Sequence, residues 1–285
     1  MGYAVSGVPL IMGILNVTPD SFSDGGIYFD QSRAVERGLS MLAEGASIID
    51  VGGESTRPGA DPVPADVELE RVIPVIRELA KSVRVSVDTK KAEVARRAIE
   101  AGATVVNDIS ASLGPIAAEY GVGWVAMHMQ GDPKTMQVSP KYEDPVNEIG
   151  DFLRGVVQWA TEIGVGEMWI DPGIGFGKTV TDNLLLLRQL HQFASIGVPI
   201  LVGLSRKRFL GGLSRSDSRG DSPLEPKQRL GQSVAGALLS VMQGAQVVRV
   251  HDVRATRIAL DGLLLCRDGY GRGWCSDQIQ GFGGR

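Results

Sequence analysis

Seven polar residues end or directly follow short apolar runs: Asn16, Asp88, Asn107, Asp171, Lys207, Arg249 and His251. A carboxylate accepts paired N–H bonds, and a carboxamide both donates and accepts. Asp88, Asn107 and Asp171 arranged around a flat slot could read a 2-amino-4-oxo heterocycle such as a pterin or a guanine. The competing reading is helix capping: Asp88 precedes Thr89, Lys90 and Lys91 and could serve as an N-cap. A second set, Arg57, Arg206, Lys207, Arg208, Arg249 and His251, would gather positive charge in one place. Guanidinium forks match phosphate oxygens, so this set suits phosphate or pyrophosphate. Surface ion pairing is the favoured reading for Arg206. Ligand binding is favoured for Lys207, Arg249 and His251, because strand alternation puts 249 and 251 on one side.

Other chemistries find less support. His128 has no second His or Cys at metal-ligand spacing. A hard cation such as Mg²⁺ suits these residues better than zinc, with the amide oxygen of Asn16 as a candidate ligand. No Ser/His/Asp or Cys/His set stands out as a nucleophile system. Gly173-Ile174-Gly175-Phe176-Gly177-Lys178-Thr179 imitates a P-loop, but Pro172 occupies the position of the first required glycine. Those glycines let backbone approach a flat ligand, or make a tight turn between strand and helix.

The elements that must hold these residues are legible as Val/Ile-rich runs. Strands are expected over roughly 10–16, 47–52, 84–88, 104–108, 123–128, 167–171, 199–204 and 247–251. Helices are expected near 31–45, 65–81, 91–102, 113–121, 144–164, 181–196, 227–245 and 254–267. Six of these end at a glycine: Gly45, Gly102, Gly121, Gly164, Gly197 and Gly244. Strict alternation predicts an α/β fold, a single (β/α)₈ TIM barrel over residues 1–270. An open doubly wound sheet is the alternative, but no glycine fingerprint follows the first strand. In a barrel the strand ends share one mouth, which would bring all the polar residues named above together. Residues 214–226 read as a mobile excursion, and 271–285 as a Gly-rich tail.

Bulk properties fit one large domain. The chain has 285 residues, 43% hydrophobic and 22% charged, with a formal net charge of −4. That balance argues against nucleic acid or a membrane surface as partner. Two cysteines, Cys266 and Cys275, form no disulfide framework and suit a reducing cytoplasm. No signal peptide or transmembrane segment is expected.

The blocks Met12–Gly26, Asp50–Gly59, Ser86–Thr89, Asn107–Ile109, Met127–Gly131, Asp171–Lys178, Gly203–Gly211 and Arg249–Val253 resemble the dihydropteroate synthase family. The resemblance implies a homodimeric (β/α)₈ enzyme of folate biosynthesis. It would join 6-hydroxymethyl-7,8-dihydropterin pyrophosphate to p-aminobenzoate and release pyrophosphate. It implies Asp88, Asn107, Met127, Asp171, Phe176, Gly203 and Lys207 around the pterin. Asn16, Arg57, Arg249 and His251 would hold pyrophosphate, with Asn16 on Mg²⁺. Phe22, Thr56, Pro58, Lys207 and Arg208 would border p-aminobenzoate. Asp24, Asp88 and Lys207 would be catalytic. Arg208 stands where many relatives have Ser, while Phe22, Thr56 and Pro58 match the sulfonamide-sensitive pattern. Competing readings are a drug-insensitive form of the same enzyme, a methyltetrahydrofolate-type pterin methyltransferase and a catalytically silent pterin-binding paralogue.

Overall fold

The computed structural model describes residues 7–18, 27–55, 61–211 and 224–268. Phe22, Asp24, Thr56, Arg57, Pro58, most of 214–226 and the tail 271–285 lie outside the described residues. Eight strands are present: β1 (Leu10–Asn16), β2 (Ile48–Gly52), β3 (Arg84–Asp88), β4 (Val105–Asp108), β5 (Gly123–Met127), β6 (Met168–Asp171), β7 (Leu201–Gly203) and β8 (Val247–Val250). They form one parallel sheet in the order β6-β5-β4-β3-β2-β1-β8-β7. A single bridge between Ile170 and Ile200 brings its two edges together, giving a nearly closed barrel. The expected architecture is therefore observed, and the open doubly wound alternative is not.

Helices α1 (Ile27–Ala43), α2 (Ala65–Leu79), α3 (Ala92–Glu100), α4 (Gly114–Tyr120) and α5 (Pro145–Glu162) follow the first five strands. Then come α6 (Val180–Arg188), α7 (Arg208–Gly211), α8 (Leu230–Met242) and α9 (Val253–Asp268). Local chemistry sets several starts. Asp144 caps α5 ahead of Pro145. Thr179 and Asp182 form a reciprocal capping box on α6. The six expected glycine stops all take positive φ. Two details depart from expectation. The helix expected over 181–196 breaks after Arg188 into the 3₁₀ segment Leu190–Ile196. The seventh unit carries the extra one-turn helix α7. Both are too short for periodicity to register.

Alternation along the strands divides the interior in two. Outward residues such as Ile49, Val51, Val85, Val87, Trp124 and Ile170 join the large core beneath the helices. Inward residues Met12, Ile48, Val105, Val125, Trp169, Leu201 and Val247 form a separate apolar layer inside the barrel. Below it, Arg84 donates to Glu167 and lies 5.3 Å from the Trp169 ring centroid. Two residues further along the same strands stand Ile14, Asp50, Asn107, Met127, Asp171, Gly203 and Arg249. The period of two thus lifts a polar layer directly onto an apolar plug.

Ile48 is 1% exposed in that plug. Ile48→Ala should lower unfolding free energy by about 2–5 kcal/mol in urea titrations. A loss below about 1 kcal/mol would show that the layer is not close-packed.

Candidate functional site

Arg249 organises the centre of the mouth. Its Nε donates to Asp50 Oδ2 at 2.6 Å, and its Nη2 to Asp88 Oδ2 at 2.5 Å. Asn107 Nδ2 donates to the same Asp50 oxygen at 2.9 Å. All three partners are buried, and Arg249 is 19% exposed. Asp50 Oδ1 and Asp88 Oδ1 have no hydrogen-bond partner among the described residues. Burial, reinforced by Asp50 and opposed by Arg249, pushes Asp88 up to about 7. Arg249 is itself held above the usual arginine range: burial opposes its charge, but Asp50 and Asp88 outweigh it. The capping reading fails for Asp88, since Lys91 occupies the N-cap of α3. Asn107 caps nothing either. Its neighbour Asp108 takes that work, accepting from Ser110, Ser112 and Leu113 backbone N–H groups.

The second wall is the loop after β6. Asp171 Oδ1 accepts from the Gly173 N–H at 2.7 Å, and burial raises its pKa. Gly173, Gly175 and Gly177 all have positive φ. A side chain at Gly173 would collide with the His128 carbonyl, and one at Gly177 with the Gln130 carbonyl. Gly173 and Gly177 therefore serve backbone-to-backbone packing of two mouth loops, while a side chain at Gly175 would meet the Lys207 side chain. Lys178 fastens the junction, donating to the Phe176 carbonyl at 2.9 Å and meeting His128 Nδ1 at 3.1 Å. Burial first, then Lys207, depresses Lys178 to about 7; burial first, then Lys178, lowers His128 to about 3. Lys207 grips the same loop from the other side, donating to the Ile174 carbonyl. Its Nζ lies 4.4 Å from the Phe176 ring centroid, the geometry of a cation–π contact. Burial lowers Lys207 to about 8, against the pull of Asp171.

The third wall follows β7 and β8. Arg206 adopts φ +60 and forms a two-pronged pair with Asp252, at 3.0 and 2.6 Å. It is thus an ion-pairing residue, as favoured from the sequence, and it fixes the turn that presents Lys207 inward. Arg208, at the start of α7, is exposed. His251 contacts Ser205 Oγ through its backbone N and its Nδ1, both at 3.1 Å. Across the mouth, a methyl group on Gly52 would touch Asp88 Cβ at 3.4 Å and stand 3.8 Å from Asn16 Oδ1. Asn16 and Asp88 thus line the same space. At the base of the segment after β2, Lys91 bridges Glu54 and Glu68, and Glu54 accepts from the Val63 N–H at 3.3 Å.

The structure brings Asn16, Asp88, Asn107, Met127, Asp171, Gly203, Lys207, Arg249 and His251 to one end of the barrel, with Phe176 in the loop above. Arg208 stands at its edge. Phe22, Asp24, Thr56, Arg57 and Pro58 lie outside the described residues. Sequence reasoning missed Asp50, which is mid-strand, and Lys178, hidden in the P-loop imitation. A charged residue within Ile48-Ile49-Asp50-Val51 was the available signal for Asp50.

A family model described as pterin binding enzyme matches residues 12–251. The chain belongs to that family of pterin-binding barrels. It is 48% identical over 263 residues to a dihydropteroate synthase of Mycobacterium leprae, covering 88% of this chain and 90% of the relative. The solved Xanthomonas albilineans dihydropteroate synthase with 4-aminobenzoic acid superimposes with a TM-score of 0.83 at 44% identity, covering 92% and 94% of the two chains. A Yersinia pestis dihydropteroate synthase solved with a sulfonamide drug gives a TM-score of 0.84 at 41% identity, over 94% and 100%.

Gly173→Ala tests the loop junction. Positive φ and the His128 carbonyl both oppose a side chain there, so a loss above about 2 kcal/mol in thermal unfolding is expected. A neutral effect would mean that the two loops are not held in contact.

Proposed function

We propose that this chain is a dihydropteroate synthase. It condenses 6-hydroxymethyl-7,8-dihydropterin pyrophosphate with p-aminobenzoate and releases pyrophosphate. One observation carries the reading: Asp88, Asn107, Asp171, Lys207 and Arg249 converge on the mouth of a barrel 48% identical to an enzyme of that name. Departure of pyrophosphate breaks a C–O bond and leaves a cation delocalised over the pterin. The buried carboxylates Asp88 and Asp171 stabilise that charge. The aniline nitrogen then forms the C–N bond and sheds one proton, so no side-chain nucleophile is required.

Arg249, His251 and Arg57 neutralise the leaving group, with Arg249 Nη1 unbonded among the described residues. Lys207, Phe22, Thr56, Pro58 and Arg208 border p-aminobenzoate. The same contacts receive a sulfonamide in its place. Asn16 offers one neutral oxygen, and no group of three or more His, Cys, Asp or Glu able to hold a metal exists among the described residues. These residues fit a Mg²⁺ ion that takes most of its oxygens from substrate and water. When bound, it would supply charge neutralisation at the leaving group.

The enzyme is a homodimer on this reading. Exposed Leu239, Met242, Ile258 and Leu265 on α8 and α9 support an apolar contact there. It works in the cytoplasm, a reducing compartment that suits the exposed thiol of Cys266. No described helix is long and apolar enough to cross a membrane.

Pyrophosphate release should depend on both substrates and on Mg²⁺, and fall when a sulfonamide is added. Absence of turnover by folded protein would overturn the assignment. The rate should climb as Asp88 ionises near 7 and decline as Lys207 loses its proton near 8. A profile flat across both limbs would remove these two groups from the reaction.

A further inference from the structure

We propose that Asp50 is a positioning residue that fixes which edge of Asn107 faces the pterin. The inference rests on the functional reading above and adds a specificity device to it. Asp50 lies within β2, 0% exposed, two residues above Ile48 of the apolar plug. In register it stands between Ile14 of β1 and Ser86 of β3. Oδ2 of Asp50 is shared by Asn107 Nδ2 at 2.9 Å and Arg249 Nε at 2.6 Å. Its Oδ1 is buried without a partner among the described residues, as is the neighbouring Ser86 Oγ.

Charge balance makes this residue conspicuous. Arg249 already has a carboxylate partner in Asp88, at 2.5 Å. Asp50 adds a second carboxylate to one guanidinium, with one of its oxygens unsatisfied among the described residues. Burying such a group is costly, and a valine would simply continue the apolar layer. What Asp50 provides is orientation. A carboxylate only accepts, so Asn107 must turn its NH₂ toward Asp50. The reversed amide would set carbonyl oxygen against carboxylate oxygen. Asn107 is thereby committed to present Oδ1 to the ligand. With the Asp88 and Asp171 carboxylates it completes a wall of acceptors. That wall selects a heterocycle edge rich in N–H donors.

The test measures affinity for the dihydropterin pyrophosphate by calorimetry on the full chain, beside KM for p-aminobenzoate. Wild-type protein that binds no pterin would fail the functional reading itself, independently of Asp50. Given wild-type binding, Asp50→Val should weaken pterin affinity roughly tenfold, the scale of one hydrogen bond to a charged group, with KM for p-aminobenzoate little changed. Asp50→Asn keeps an acceptor oxygen and should stay closer to wild type than Asp50→Val. In an Asn107→Ala background, Asp50→Val should add no further loss, because there is no amide left to orient. Unchanged affinity in folded Asp50→Val, equal losses in Asp50→Asn, or multiplying losses in the double variant would overturn the proposal. Should Asp50→Val fail to fold, Asn107→Asp gives the answer. It keeps size but replaces the amide donor facing Asp50 with a carboxyl group that is repelled when ionised, so affinity should again fall roughly tenfold at a pH where both are ionised, and wild-type affinity there would overturn the proposal.

Discussion

One guanidinium between two buried carboxylates governs the mouth of this barrel. Arg249 reaches across the interior from β8, meeting Asp50 on β2 and Asp88 on β3. Removing it would leave two buried carboxyl groups without this counter-charge. Burial pushes Asp88 up to about 7, with Asp50 adding to the shift and Arg249 opposing it. A carboxylate poised there suits a reaction that develops positive charge on a bound ring. The same triad turns Asn107, and the third guanidinium nitrogen is unbonded among the described residues.

Strand geometry delivers these groups with little further specification. Inward residues two apart differ only in height, so the apolar layer at Ile48, Val105, Val125, Trp169 and Val247 raises the reactive layer directly above it. Below, the barrel is plugged; above, the loops are free to differ. The loop after β6 is the most tightly set of them. Lys178 and Lys207 hold it from opposite sides. Its glycines allow the neighbouring loop to press against it.

Most of the fold was legible in the sequence because Val/Ile runs, glycine stops and strict alternation all agree. The polar strand ends were legible for the same reason: a run that stops at Asn16, Asp88 or Asp171 is visible without coordinates. Asp50 was not, because it interrupts an apolar run instead of ending one, and looking only at strand ends passes over it. Lys178 was overlooked because its setting imitates a phosphate loop. Its bonds to Phe176 and His128 depend on contacts between β5 and β6 that spacing does not reveal. Helix α7 and the strained Arg206 backbone are single-turn features, settled by the Asp252 pair and by Arg229 donating to the Arg206 carbonyl.

The most direct test of the central interaction is the pH dependence of unfolding free energy in Arg249→Met, compared with wild type. Methionine keeps much of the side-chain volume and removes the charge. Asp88 would then lose the charge that opposes the effect of its burial, and its protonated form would be favoured further in the folded state. Stability should therefore fall by about 3–5 kcal/mol at neutral pH, and the deficit should shrink as the solution is acidified and Asp88 takes up a proton. A deficit that is absent, or the same at every pH, would contradict the account.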